Sequence, residues 1–536
     1  MDTKEHTELG NAVQLADWIE LENNPYLDLD DNGVLFLNLQ SIDENGLPQP
    51  IALNVSSGVI VAMSGDYFGG KEVDLKLPTI NEFKCNKQVF DPANECEHLG
   101  EYLIQEPVKL MEEYQFIKSY MRLASHHVTT KEIDTIYAIN QATYISYSET
   151  LNSYAKELMF ALKVKNYGEM LNRNLSHFTP WSVRAYVLGH SLGLKYARMY
   201  YELKKFQADP HYHSENPEFN RLLNVLKDNN EGPSTTFIGD MAYRYQALAL
   251  SMELFSFHYY TDHFAAGHGA LIGDLRCLLP KRFGFLGGIL VNSLHDELNS
   301  ITIYTKRPYD PKPNINEPPL EAGGDGDFDS QKNYYNKLAC LEGMNNSLKD
   351  IREVFQGKSI PGQKQYGGLG NMPDLDINYR QPQPLIVLGK NNEIYYRTNL
   401  AKIRILSPSQ LRAAYNSPLE HGYTQLTNSF EAFILVVKLR IFTYFFSGIL
   451  QSLSTKELKE IEEEERLLNP GRQPIAQLPA PLIRENKSTF IPHWKTPASN
   501  QTILSGLKRN GFMHQANMRQ EVAIVSDQGI AISTVC

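Results

Sequence analysis

Apolar positions spaced three and four residues apart recur in segments between Glu106 and Leu279 and predict helices there. From Glu106 to about Leu203 the pattern is helical. Ile133, Ile136, Tyr137, Asn140, Tyr144, Tyr147 and Leu151 fall on one core-facing stripe, with Thr129 or Thr130 as N-cap before Glu132. Thr179 before Pro180 reads as N-cap and first helical residue of another helix, leaving His177 in the loop ahead of it. Met241 to Phe257 has helical composition with neither Pro nor Gly, and a second apolar helix follows from Ala270 to Leu279. Strand-like segments are fewer: Gly33 to Gln40, and Gly58 to Gly70, whose apolar core is a buried strand or a helix start. A short helix is expected around Leu15 to Leu21. Residues 71–100 lack a period and read as a long covering loop in which His98 is exposed.

Beyond Lys306 the texture changes. Prolines, glycines and acidic residues run to Gln383, apart from a helical piece from Tyr334 to Val354. Residues 384–407 predict a hairpin around Lys390, Asn391 and Asn392, and Glu431 to Arg466 predicts one long helix. Its apolar part, Ala432 to Leu450, carries Lys438 and Arg440 near the middle, where each would cost about 2.5 to 3.5 kcal/mol in a bilayer. A packed helix is therefore expected, with a membrane-facing helix as the other possibility. The organisation expected is a helical unit over 1–305, a Pro/Gly-rich insertion with one helix over 306–383, a hairpin and long helix over 384–470, and a loosely structured tail over 471–536.

Composition narrows the function classes. The 536 residues are 42% hydrophobic and 21% charged, enough for a large core. A net charge of -11 argues against non-specific binding to nucleic acid, which needs basic surface to displace counterions. Five cysteines without C-x-x-C spacing suggest neither a thiolate metal site nor a full disulfide set. The first residues are polar and acidic with no apolar core, so no Sec signal peptide is expected.

The candidate chemistry lies in His258 to His268, reading HYYTDHFAAGH. On a helix His258 and Asp262 are four apart on one face, so an imidazole nitrogen and a carboxylate oxygen can close on one divalent ion. Gly267 can bend the chain and return His268 to the same place, whereas His263 points elsewhere, toward outer support or the surface. Clustered core or surface histidines without a metal are the alternative, at about 1 to 3 kcal/mol for each unmet buried partner. Asp66, delivered by an apolar approach into a glycine-flanked loop, is a candidate ligand, although exposed turn aspartates are common. His177 and His295 are further candidates. His190, inside a helix, and Asp296, beside His295, are second choices, since an inward histidine usually satisfies a core hydrogen bond. The two histidines of HYHSENP (211–217) are expected to face solvent. Asp325, Asp327 and Asp329 begin like a calcium loop but lack its Gly and its closing Glu.

Taken together, SGDYFGG, NLSHF, LGHSLGLKYA, HYYTDHFAAGH and the His-Asp of SLHDELN resemble the zinc metallophospholipase C family of bacteria and fungi, which includes effectors of intracellular pathogens. The resemblance spans about residues 58–300. It implies a helical catalytic domain with short β elements and a C-terminal helical/β extension, holding two or three Zn²⁺ and hydrolysing glycerophospholipids of the phosphatidylcholine type to diacylglycerol and a phosphorylated head group. It implies Asp66 as ligand and general base, Asp262 as bridging ligand, and His177, His258, His268 and His295 as ligands. It also implies work at a membrane surface without a transmembrane span, no nucleic-acid partner, and translocation from a bacterial cytoplasm into a host cell. The same spacing occurs in single-strand-specific zinc nucleases, where a His-x3-Glu pair completes the set; here the residue four after His295 is Asn299. A zinc nuclease or nucleotidase and a catalytically idle host-protein binder are the alternative functions.

Overall fold

The chain opens with helix α1 (Thr3–Asn11), started by a reciprocal cap in which Asp2 accepts from the Glu5 amide at 2.7 Å while Glu5 accepts from the Asp2 amide at 3.1 Å. The computed structural model describes residues 2–65, 67–69, 103–147, 149–164, 175–228, 234–269, 272–306, 319–324, 328, 333–389, 392–442, 449–450 and 452–471. Asp66, the covering loop over 71–100, His98, the acidic triplet Asp325, Asp327 and Asp329, and the tail lie outside those residues. A three-stranded antiparallel sheet follows α1, β1 (Leu27–Leu29), β2 (Leu35–Ile42) and β3 (Pro48–Ser56), then helix α2 (Ser57–Ser64). The apolar run before Gly65 is thus the helix start, not the strand. Gly10 and Gly58 let α1 and α2 touch backbone to backbone, since a Cβ on Gly10 would lie 2.7 Å from the Gly58 Cα. Asn11 locks the crossing by accepting from the Gly58 amide at 2.8 Å.

Helices α3 (Leu110–Leu123), α4 (Thr130–Gln141) and α5 (Glu149–Lys163) precede two 28-residue helices, α6 (Trp181–Ala208) and α7 (Thr235–Asp262). Pattern and length agree: α7 carries apolar side chains all round and is buried all round in its C-terminal half. Phe255, Phe257 and Leu254 are fully buried there, each contributing on the order of 1.5 to 3 kcal/mol by removal from water. Short α8 (Ala266–Gly269) and helices α9 (Ile272–Phe283) and α10 (Phe285–Asn299) complete the first half. A second sheet, β4 (Ile303–Lys306) between β5 (Leu320–Ala322) and β6 (Asp374–Leu375), ties the following residues back. Helix α11 (Tyr334–Phe355), expected from its period, packs into the same core as α6 and α7. A third sheet has β8 (Ile394–Arg397) between β7 (Ile386–Leu388) and β9 (Tyr423–Gln425), so the hairpin expected after 384 is present. The protein is mainly helical with short sheets.

Four expectations need correction. Residues 15–21 form only a 3-10 turn at Ile19–Leu21, while the N-terminal helix lies earlier. Helix α4 ends at Gln141 because Ala142 turns extended, so Tyr144 and Tyr147 leave the stripe and are exposed. Thr129 is its N-cap, bonding the Glu132 amide. At α6 the boundary is one residue later, with Pro180 as N-cap and Trp181 first in the helix. The helix expected over 431–466 is broken: α12 (Ser429–Val437) passes into a π turn at Lys438–Phe442, Ile449–Leu450 pairs with Lys402–Ile403, and Ser454 and Glu457 form a new capping box that starts α13 (Thr455–Leu468). Among the described residues no helix is long and apolar enough to cross a membrane.

Candidate metal centre

Asp262 ends α7, and its carboxylate sits between four imidazoles. Oδ1 faces His6 Nε2 at 3.2 Å and His268 Nδ1 at 3.1 Å; Oδ2 faces His177 Nδ1 at 2.6 Å and His258 Nε2 at 3.3 Å. Helix geometry stacks His258 one turn before Asp262, and α8 folds His268 back onto it. Gly267 allows that return: its amide donates to Asn299 Oδ1 at 2.8 Å, and a Cβ there would meet Asn299 and His295. His177 comes from a 3-10 turn just ahead of α6, anchored where the Thr179 amide donates to the His268 carbonyl at 3.0 Å. Beyond His268, the half-buried His295 on α10 brings its Nε2 within 3.0 Å of His268 Nε2.

Surrounding hydrogen bonds choose the tautomers. His258 Nδ1–H donates to the Val61 carbonyl at 2.8 Å, which turns its Nε2 lone pair toward Asp262. Thr261 gives its hydroxyl proton to the Phe257 carbonyl at 2.7 Å, so the Thr261 oxygen accepts from His6 Nδ1–H at 2.8 Å. His6 therefore also presents a bare Nε2 to the carboxylate.

The residues fit a divalent ion. One nitrogen each from His6 and His258 and one oxygen of Asp262 lie within 4.8 Å of one another, all three residues buried. His6 Nε2 is fully buried with no hydrogen-bond partner among the described residues, the condition of a donor atom meant for a cation. Burial, with His6 nearby, pushes the His258 pKa well below the ordinary histidine value, and burial holds His268 down to about 4, so both rings keep their lone pairs at neutral pH. Burial alone would raise the Asp262 carboxyl, but the positive charge of the chain's N-terminus, followed by His268, His258 and His6, prevails and holds it well below the usual carboxylate range. Neutral imidazoles around one ionised carboxylate make a nitrogen and oxygen set suited to zinc.

The structure brings together His177, His258, Asp262, His268 and His295. Asp66 lies outside the described residues, but its neighbour Gly65 is against the site: a Cβ there would lie 2.1 Å from His258 Nε2 and 2.4 Å from His177 Cε1. Asp296 stands on the outer side of α10, 59% exposed, 3.6 Å from His295 Nδ1 and 3.9 Å from Arg440. Asn299 does not reach past His295; its amide bridges the Gly267 amide and the His295 ring. His263 is not at the surface. Its Nε2 lies 2.5 Å from the Pro373 carbonyl and its Nδ1 2.7 Å from Ser182 Oγ, and burial holds its pKa at about 4. Sequence reasoning missed His6. The signal available was the Asp2-x-x-Glu5 cap, which defines a helix whose Thr3, His6, Thr7 and Gly10 share one buried small and polar face.

His190 joins a different cluster. Its Nδ1 is 2.8 Å from Glu253 Oε2 and its Nε2 3.3 Å from Asp350 Oδ2, while Ser347 donates to Glu253 at 2.5 Å and hydrogen-bonds Tyr186 at 2.6 Å. Burial works against the charged ring, but Glu253 and Asp350 outweigh it and lift the His190 pKa to about 9. The folded pKa exceeds the unfolded one of about 6.5, so this pairing stabilises fully below pH 6.5 and its contribution is lost as pH rises through 9. Melting temperature should fall between pH 7 and pH 10, and less in His190→Gln; equal falls would remove His190 from the effect. The chain matches no family model, no curated protein and no solved structure.

Proposed function

We propose that the protein is a zinc-dependent phospholipase C with a phospholipase C-like helical catalytic unit, cleaving glycerophospholipids to diacylglycerol and a phosphorylated head group. The observation that carries the reading is the single carboxylate of Asp262 shared by His6, His177, His258 and His268, with His295 extending the set beyond His268. More donors converge than one tetrahedral ion uses, which supports a multinuclear centre. When bound, zinc ions would bind phosphodiester oxygens, acidify a water and stabilise the charge of in-line displacement. His6, His258 and Asp262 would hold one ion, and His268 and His295 a further one. Val61 and Thr261 fix the donor rings, and the buried Phe178 ring, its centroid 5.0 Å from that of His268, gives the site an apolar wall on that side. Asp66 remains the proposed general base.

Two measurements test this. Elemental analysis should find at least two zinc ions per chain after dialysis; one or none would remove the multinuclear centre, and none would favour a catalytically idle binder. The zinc-loaded protein should release diacylglycerol from phospholipid vesicles and be stopped by a chelator. Acid-soluble nucleotide from single-stranded DNA without diacylglycerol would replace the reading with a zinc nuclease, against which the net charge of -11 weighs.

A further inference from the structure

The turn joining α9 to α10 points a phenylalanine into solvent. Phe285 is 77% exposed, and Lys281 and Arg282 just before it are exposed too. Helix α12 brings a second apolar set to the same end of the molecule. Arg282 Nη1 donates to the Asn392 carbonyl at 3.4 Å, two residues before Ile394, and the Ile394 carbonyl accepts from the Leu426 amide at 2.8 Å just ahead of α12. The other end of α12 lies by the end of α10, where Arg440 meets Asp296. The helices therefore run side by side in the same direction, and Leu290, Val291, Leu294 and Leu298 share one buried apolar core with Ala432, Leu435, Val436 and Leu439. Outside that core α12 exposes Phe430 at 72%, Phe433 at 49% and Ile434 at 37%.

We infer that this rim, Phe285 with Phe430, Phe433 and Ile434, docks on a phospholipid bilayer and sets the candidate metal centre against its substrate, an inference that rests on the phospholipase reading. Three observations favour a bilayer over a protein partner. The apolar side chains are exposed on a turn and on one helix, Phe285 and Phe430 by more than two thirds, so a fluid surface can receive them where a rigid one would need a matching socket. Aromatic rings next to cations suit the head-group boundary, where ring and acyl chain meet while ammonium and guanidinium reach phosphate. Among the described residues Lys281, Arg282 and Lys438 form no ion pair, whereas Asp296 faces Arg440 and Glu297 pairs with Arg397; Glu431 on α12 keeps its charge and accepts from Thr427. The rim is also continuous with the site: His295 is ten residues along α10 from Phe285, about 15 Å at helical rise.

The test is co-sedimentation of the full-length, zinc-loaded protein with phosphatidylcholine vesicles, with and without phosphatidylserine, alongside Phe285→Ser, Phe430→Ser and the double variant. Both side chains are mostly solvent-exposed, so the variants should melt as the wild type does. Each single substitution should weaken binding about tenfold, and the double variant more. In detergent mixed micelles, where no flat surface has to be met, all variants should release diacylglycerol at the wild-type rate. Failure of the wild type to bind vesicles, or equal binding by the double variant, overturns the docking surface. A dimer in sedimentation that the variants dissolve, without vesicle binding, assigns the rim to a second copy and overturns it too. Micellar hydrolysis without vesicle binding leaves the phospholipase reading standing while the docking falls; vesicle binding that the variants abolish, without any hydrolysis, does the reverse.

Discussion

Asp262→Asn should lower kcat/KM for phosphodiester cleavage by at least about a thousandfold, since removal of one preorganised charge-stabilising group already costs on the order of 10²- to 10³-fold. The substitution keeps the shape and removes the charge. It also breaks a pattern of donors and acceptors that an amide cannot copy. Both carboxylate oxygens receive ring nitrogens, His177 Nδ1 and His258 Nε2 at one and His6 Nε2 and His268 Nδ1 at the other. An amide keeps one neutral acceptor oxygen and no charge, and its NH2 would donate to the bare His6 or His258 Nε2 that a cation would otherwise take. Zinc content should therefore fall with activity, while far-UV circular dichroism stays that of the wild type. Undiminished turnover would remove Asp262 from the reaction.

Gly65→Ala should be nearly as damaging without touching a polar group. The Gly65 backbone is in the right-handed helical region, with φ −82° and ψ −64°, so alanine suffers no conformational penalty there. Its methyl would instead lie 2.0 Å from His258 Cδ2 and 2.1 Å from His258 Nε2. Relief requires both His258 and His177 to move, an overpacking cost of about 1 to 3 kcal/mol. If these rings hold the proposed ions, displacing them by an ångström is enough to lose about a hundredfold in activity. Gly370→Ala, where an added methyl meets nothing within 4 Å, is the control and should leave both unchanged. A Gly65→Ala protein with wild-type zinc content and rate would show that the α2 loop does not press on the site.

The sequence made the site legible where spacing along one helix carries it. His258 and Asp262 share a face by the helical repeat, and Gly267 announces the bend that returns His268. His177 was legible as a loop residue before a helix. His6 was not, because nothing local separates a ligand from any histidine in a short polar helix; its role depends on α1 crossing α2 at Gly10 and Gly58, a contact between segments nearly fifty residues apart. Tyr144 and Tyr147 show the reverse error: a stripe continued on paper past Gln141, where Ala142 turns the backbone extended. In the helix expected over 431–466 the apolar run masked a second start signal, Ser454 with Glu457, whose cap belongs to a separate helix. Local rules find elements and their caps; which elements meet is decided by long-range packing.

The His190 cluster bears on how the protein can be cut. The imidazolium comes from α6, Glu253 from α7, and Asp350 and Ser347 from α11, so three helices far apart in sequence share one buried charge pattern. A fragment stopped at residue 305 would keep the histidine and one carboxylate while losing the second carboxylate and the hydroxyl, opening the hole where Met344, Leu348 and Ile351 now sit. Every residue facing Asp262 would be present in that fragment, yet the helices that aim them would lack a wall. The smallest expressible unit that carries the site should therefore extend at least through Phe355.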